Sequence, residues 1–412
     1  MPEEPNLAQT LERIFPPHLI DFLKHVGEKA AERNEQAYIV GGAVRDLILG
    51  IKNCDIDLTV EGDAAALARE VAPNGEKITI HQQFNTARIK FADLDIDFAT
   101  ARSETYARPG ALPKVTPATL TADLKRRDFT INAMAIGLCG ENYGKLYDPY
   151  NGKRDIEGKI LRVLHDKSFV DDSTRIWRGL RYEKRLGFNL EEHALNLLQR
   201  DIPMLDTVSG ERIRYEIECV LKEARPEEVL SRAYELEALG RLNPALEFNQ
   251  NSADCFIQAR ETSAEKMLEP LYWALLTFAL NIEEKNKLIT YLKLPKRISQ
   301  TLRDCAAVRE RLAELASPEL KRSGIYRLLH GFTDTALEAA VICADNDASR
   351  AALVLYLQEL QGIKTIITGD DLLGAGMRGG EIKYVLDAVL DARLNGEVAT
   401  FEEELALAKT LL

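Results

Sequence analysis

Two carboxylates one residue apart, Asp55 and Asp57, follow closely on Gly41-Gly42-Ala43-Val44-Arg45-Asp46. On an extended strand residues i and i+2 share a face, so both aspartates aim together while Ile56 turns into the core. Two hard oxygen donors on one face suit Mg²⁺, which needs only one or two protein carboxylates when phosphates complete its shell. Gly41 and Gly42 let backbone N–H groups close on such phosphates, and Arg45 adds a basic side chain. The plain alternative is a surface hairpin, since Gly-Gly turns and exposed D-x-D strands are common. The run Ala37-Tyr38-Ile39-Val40 weighs against it, because it reads as a buried strand feeding the glycines, and Leu58-Thr59-Val60 continues the second strand.

A second group is Asp123-Leu124-Lys125-Arg126-Arg127-Asp128, running into Phe129-Thr130-Ile131-Asn132-Ala133-Met134-Ala135-Ile136. Arg126 and Arg127 suit a ribose or a triphosphate, because a guanidinium fork matches phosphate oxygens. A structural cluster of ion pairs explains a bare Arg-Arg-Asp equally well. The third group is Asp172, Arg175, Arg178 and Arg181, spaced by three. On a helix they share one broad face, while Ile176 and Leu180 pack on another side. Ser173 or Asp172 would cap its start. A solvated basic helix is the plain alternative. The chemical reading is sharper. Cytosine and adenine both present an exocyclic amine beside a ring-nitrogen acceptor. A carboxylate accepts from the amine and an arginine donates to the ring nitrogen, so Asp172 with Arg175 would take C or A. Uracil and guanine would leave buried polar groups unpaired, at a cost of a few kcal/mol.

The elements that must position these groups follow from the pattern. Residues 7–33 read as one or two helices interrupted by Pro16-Pro17. Residues 37–100 alternate: a strand near 37–40, a helix from Val44 to Leu49, a strand at 55–60, a helix at 63–72, then strands near 77–80, 86–92 and 94–100. Residues 101–124 read as a loop, and a helix is expected over 128–138. Asp148-Pro149-Tyr150-Asn151-Gly152 is turn chemistry. From about 155 the pattern is helical, with breaks expected at Pro203, Gly210, Pro226, Gly240, Pro270, Pro295 and Gly324. The fold class expected is α+β, a small mixed-sheet domain followed by a long helical region.

At 412 residues the chain should form two to four domains. No apolar run approaches a membrane span, and the acidic Met1-Pro2-Glu3-Glu4 start lacks a signal-peptide pattern. The six cysteines (54, 139, 219, 255, 305 and 343) are scattered without a C-x-x-C pair. That fits a reduced, cytoplasmic setting and argues against structural zinc or a disulfide framework. A net charge of −12 does not suggest a nucleic-acid binder, yet basic residues concentrate between Lys125 and Arg185. A cationic zone in an acidic protein is compatible with a phosphate-rich ligand.

Strand, Gly-Gly, short helix and a strand bearing paired aspartates resembles the polymerase-β-type nucleotidyltransferases. The three groups in this order and spacing resemble the class II tRNA nucleotidyltransferases, the CCA-adding enzyme and poly(A) polymerase family, over roughly 35–220. Ser209-Gly210-Glu211-Arg212-Ile213 is similar to that family's next motif, and Thr368-Gly369-Asp370-Asp371-Leu372 more loosely to its C-terminal region. The resemblance implies a nucleotidyltransferase head (1–160), a helical neck with a base-templating helix (161–225), a helical body (226–325) and a tRNA-binding tail (326–412), arranged like a seahorse. It implies Asp55 and Asp57 as Mg²⁺ ligands, and Gly41, Gly42, Arg45, Arg126, Arg127 and Asp128 at the nucleotide. Asp172, Arg175, Arg178 and Arg181 would form the protein template; the family's usual Glu-Asp is here Asp171-Asp172. A third carboxylate often completes such sites. Asp97 is the candidate, since Asp93, Asp95 and Asp97 share a strand face opposite Leu94, Ile96 and Phe98.

The implied reaction is addition of C, C and A to the tRNA 3′ end from CTP and ATP, with the acceptor and T arms held by the helical region. Lys293, Lys296 and Arg297 are candidate phosphate contacts there. Rival readings are an enzyme adding only A, one adding only C-C, a poly(A) polymerase, and a catalytically inactive RNA-binding protein. The segment from Ala101 to Asp123 covers the place of the loop that helps switch from C to A, and it is not truncated, which argues against C-C addition alone. Two other signals are discounted. Gly374-Ala375-Gly376-Met377-Arg378-Gly379 fits G-x-G-x-x-G, but no strand precedes it, and a helix–helix turn is expected. His165-Asp166 lacks partner histidines for a metal-dependent phosphohydrolase.

Overall fold

The computed structural model describes residues 6–52, 55–73, 77–81, 85–92, 94–263, 265–377 and 379–411, so Cys54, Asp93 and Arg378 lie outside the described residues. The chain divides into two compact units, the first ending at Glu216.

The first unit opens with α1 (Ala8–Ile14) and α2 (Pro17–Glu32). Pro17 stands at the first helical position, where its missing N–H leaves no bond unmade. The alternation expected over 37–100 is present as β1 (Gln36–Val40), α3 (Gly42–Leu49), β2 (Ile56–Glu61), α4 (Ala64–Val71), β3 (Ile78–His81), β4 (Thr86–Phe91) and β5 (Leu94–Thr100). They build a seven-stranded sheet, order β3-β4-β5-β2-β1 and then two further short strands. β2 and β5 run parallel, while β1 with β2 and β4 with β5 are antiparallel. Ile56, Leu58, Val60, Ile96 and Phe98 are buried on these strands, which fixes the face left for Asp57 and Asp97.

Two local expectations are corrected. Residues 101–124 are not a plain loop: β6 (Arg102–Thr105) pairs antiparallel with β7 (Lys114–Pro117), followed by α5 (Leu120–Lys125). Ser103 and Thr116 hydroxyls bond across this ribbon at 2.8 Å, and only the Pro109-Gly110 tip is a turn. Residues 128–138 are not a helix but a short 3₁₀ turn, Thr130–Asn132, leading into β8 (Ala135–Gly137). The Asp128 carboxylate bonds the Phe129 N–H and the Asn132 amide, which stops helix growth. Ala135 and Ile136 then pair with Val40 and Ile39 deep in the sheet; a short, fully buried strand has no periodicity to tell it from a helix. β9 (Leu146–Tyr147) closes that edge.

Helices follow: α6 (Gly152–Glu157), α7 (Ser168–Asp171), α8 (Thr174–Leu186), α9 (Glu192–Asp201) and α10 (Gly210–Leu221). α8 buries Ile176, Trp177 and Leu180. It ends at Gly187, whose positive φ closes the last turn.

In the second unit every described α or 3₁₀ element continues the helical pattern. Pro226 begins one helix and Pro295 caps another, as expected of breakers. Pro270 and Gly324 instead lie inside the helices Glu265–Leu276 and Arg322–Leu329. Burial of Leu271, Tyr272, Trp273 and Ala274 outweighs the backbone bond lost at Pro270. Gly324 falls in a first turn, where no intrahelical N–H bond is due. Gly374 to Gly376 is indeed a turn after the helix Gly369–Gly374, with Gly376 at φ +94°. No helix of the described residues is long and apolar enough to cross a membrane.

Candidate active site

Strand register sets the chemistry of the sheet. Val40, the last residue of β1, stands opposite Asp57, so the chain turns at Gly41 directly beside that carboxylate. Gly41 holds φ +72°, the left-handed region that favours glycine, and its missing side chain leaves room for the Arg127 guanidinium. A Cβ there would lie 2.7 Å from Arg127 Nη1 and 3.9 Å from an Asp57 oxygen. One parallel register places Asp97 alongside Asp57, and Asp55 precedes β2 on the same exposed face.

Asp57 keeps contact with solvent, yet crowding by protein atoms pushes its carboxyl up to about 6. The Arg127 guanidinium pulls the other way, and the Asp55 and Asp97 charges add to the push. Like-charged oxygens gathered on one face are a donor set for a divalent cation, and the fit holds with two carboxylates when phosphates supply the rest. Among the described residues no group of three or more His, Cys, Asp or Glu side chains could hold a metal unaided. Asp97 itself is clasped by Arg88 of β4 through two hydrogen bonds of 2.7 and 2.6 Å. Arg88 carried no signal in the sequence; it is found only because β4 and β5 pair Arg88 with Asp97.

The second and third sequence groups interlock. Arg126 bonds Asp123 and Glu104, and Arg127 bonds Asp123 at 3.1 Å, so the fully buried Asp123 carboxylate orients both guanidiniums. Arg127 Nε is buried and makes no hydrogen bond, and Nη1 of the same guanidinium lies against Gly41. Arg175 is not a solvated side chain: it is 5 % exposed and donates to the Arg126 carbonyl (2.6 Å) and the Ser168 hydroxyl (2.8 Å). Arg178 grips Asp128 with two bonds of 2.8 and 2.6 Å. Burial opposes ionisation of Asp128, but Arg178 and the Asn132 amide outweigh it and hold the carboxyl well below its usual range.

Arg45 is also buried, donating to Asp46 and, at 2.7 Å, to Asn132, so it faces the interior rather than solvent. Gly42 opens α3 above it. Tyr182 of α8 lies against three guanidiniums, Arg45, Arg178 and Arg181, at 5.1, 5.7 and 5.6 Å from its ring centre. Sequence reading missed Tyr182; its place one turn beyond Arg178 was the available signal. Asp172 is not on the helix with Arg175, Arg178 and Arg181 as expected: it precedes α8 in extended backbone and accepts from Thr174 and, at 2.8 Å, from Arg212, while the Ser173 hydroxyl donates to the Met204 carbonyl instead of capping α8. Arg212 belongs to the Ser209–Ile213 segment, so that segment meets the chain just ahead of α8.

The residues 37–162 match the family model described as Poly A polymerase head domain, and 187–249 match that described as Probable RNA and SrmB- binding site of polymerase A. An A-adding tRNA nucleotidyltransferase of Halalkalibacterium halodurans is 32% identical, over 90% of this chain and 88% of the relative. The chain belongs to the tRNA nucleotidyltransferase family. Another relative in the family, the A-adding tRNA nucleotidyltransferase of Geobacter sulfurreducens, is 36% identical over 98% of this chain; the chain spans 48% of its length. Among solved structures, a CCA-adding enzyme in an apo form superposes with a TM-score of 0.86 at 28% identity, and a Thermotoga maritima CCA-adding enzyme complexed with tRNA with 0.80 at 28%, each covering the whole of both chains. The α+β arrangement of a mixed sheet followed by helices is thus the fold of this family.

For a tRNA nucleotidyltransferase head, Gly41 is a sensitive position. Gly41→Ala should lower stability by about 1–2 kcal/mol through its positive φ. It should also raise the KM for nucleotide, because the new methyl displaces Arg127. Thermal melting and steady-state kinetics check both; an unchanged KM would show that Arg127 does not depend on the turn.

Proposed function

We propose that this chain transfers nucleotides to the 3′ end of tRNA, and that terminal A addition from ATP is the core of its activity. The reading rests on one observation above all: the paired-carboxylate face and the start of α8, where Arg175 stands, are joined through one network, with Arg127 beside Asp57 and Arg175 bonded to the Arg126 carbonyl. In this reading Asp55 and Asp57, with Asp97 if it releases Arg88, hold Mg²⁺. Mg²⁺, once bound, makes the tRNA 3′-hydroxyl more acidic and neutralises the triphosphate. The N–H groups at Gly41 and Gly42 and the Arg127 guanidinium orient the triphosphate and ribose. Arg45, Asp128 and Arg178 keep that cradle in place. Asp172 and Arg175 read the amine and the ring nitrogen of the base, and Arg181 supports the same face with Tyr182. The 3′-hydroxyl attacks the α-phosphate and pyrophosphate leaves. The helical residues beyond the head, with exposed Lys293, Lys296 and Arg297, are assigned to the tRNA acceptor and T arms.

Full C, C and A addition from CTP and ATP is the second reading. It is favoured by the two CCA-adding enzymes whose structures cover the whole chain, whereas the A-adding relatives are the more identical in sequence. Base recognition by Asp172 and Arg175 accepts both nucleotides. The test offers tRNAs ending before the first C, after one C and after both, each with labelled CTP or ATP. Incorporation of A on the C-C end is expected. Added C on shorter ends selects the second reading, and no incorporation on any tRNA overturns both. In the same assay Arg175→Ala should let U and G compete, narrowing discrimination by about 10–100-fold.

A further inference from the structure

Outside the catalytic unit, Cys255 and Cys343 lie with their sulfurs 3.8 Å apart, although 88 positions separate them in the chain. Cys255 sits on the helix Gln250–Thr262 and Cys343 is the last residue of the helix Asp334–Cys343. Both are half-buried, so a small solute reaches them, while Cys139 and Cys305 are buried. The other half-buried thiol, Cys219, has no such neighbour among the described contacts. A disulfide needs about 2.05 Å between sulfurs, so the gap to be closed is under 2 Å.

We propose that Cys255 and Cys343 form a reversible oxidation site, an intramolecular dithiol that a peroxide converts to a disulfide. The two sulfurs are not equivalent. The Cys343 S–H points at Cys255, and this bond favours the Cys255 thiolate and lowers its pKa, while the same bond and burial raise that of Cys343. Cys255 is therefore the attacking sulfur and Cys343 the resolving one. The Cys255 thiolate attacks one peroxide oxygen, the O–O bond breaks, and the departing hydroxide takes a proton to become water. Cys255 is now a sulfenic acid. The Cys343 sulfur then attacks the Cys255 sulfur, the S–O bond breaks, and the Cys343 proton leaves with that oxygen as a second water. Two thiols are oxidised by two electrons and one peroxide is reduced to two waters.

The product ties two helices of the second unit across a long stretch of chain, which restricts its unfolded ensemble. The full chain treated with hydrogen peroxide should lose two hydrogen atoms in mass, yield a Cys255–Cys343 cross-linked peptide, and melt several degrees higher, all reversed by a thiol reductant. Cys343→Ser should instead accumulate a sulfenic acid on Cys255, trapped by a cyclic diketone probe, and Cys255→Ser should abolish both products. Cys219→Ser should behave as the parent and guards against a general loss of fold. Peroxide that leaves the pair reduced while modifying Cys219, or that cross-links separate chains through it, would overturn the proposal.

Discussion

Asp57→Asn should reduce nucleotide addition by about 1,000-fold or more while making the metal-free protein more resistant to heat. The two effects share one cause. Asp57 is crowded by protein atoms and faces Asp55 and Asp97, so its carboxyl stands at about 6 against an ordinary value of 3.8. The folded protein thus binds that proton more tightly than the unfolded chain does. The stability gained this way is complete below about pH 4 and is lost as pH rises through about 6. Asn carries no charge to repel, so the variant should melt above the parent at about pH 7 and with it near pH 4. Added Mg²⁺ should raise the parent's melting temperature at neutral pH and leave that of the variant unchanged. Retained turnover would remove Asp57 from the metal assignment, and a lower melting temperature would show that its charge is already balanced.

Asp128→Ala should destabilise the first unit by about 3 kcal/mol, because it strips the partner from a guanidinium and leaves the Asn132 amide and Phe129 N–H short of an acceptor. Arg178 keeps some solvent access, which holds the figure below that of a wholly enclosed pair. The Asp128 carboxyl is depressed in the fold, so its contribution is present above about pH 4 and falls away as acid protonates it. Denaturant unfolding of parent and variant should therefore differ at neutral pH and converge in acid. A constant difference across pH would assign the loss to packing instead.

The sheet that carries the site was readable because its strands alternate or run apolar at the expected lengths, and because Gly41-Gly42 punctuates β1. Strand period alone put Asp57 on the open face, whereas Asp55 falls just ahead of β2. What escaped was whatever depends on pairing with another element. β8 was read as helix because burial on both faces erases periodicity, and the ribbon of β6 and β7 was read as loop because its edge strands are short and polar. Arg88 looked like any strand arginine until register set it on Asp97. Arg175 was open to being a solvated cation, since nothing local says that the Arg126 carbonyl lies against it. β8 and Arg175 depend on partners far along the chain, Val40 and the Arg126 carbonyl, whereas Arg88 and the ribbon depend on hairpin register, which residue type alone does not set.

Asp57 and Asp97 are neighbours on parallel strands, and a parallel pair is never joined by a tight turn. Between them the chain runs out through α4, β3 and β4 before β5 comes back beside β2. Loop closure on that scale is slow relative to local turns, so this pairing should come late in sheet assembly, after the hairpins. A chain caught part-way, whether emerging during synthesis or recovering from stress, has its Gly-Gly turn and first aspartates but lacks the strand that completes their setting. On the proposed function, chemistry on a tRNA end would in this way be tied to completion of the fold.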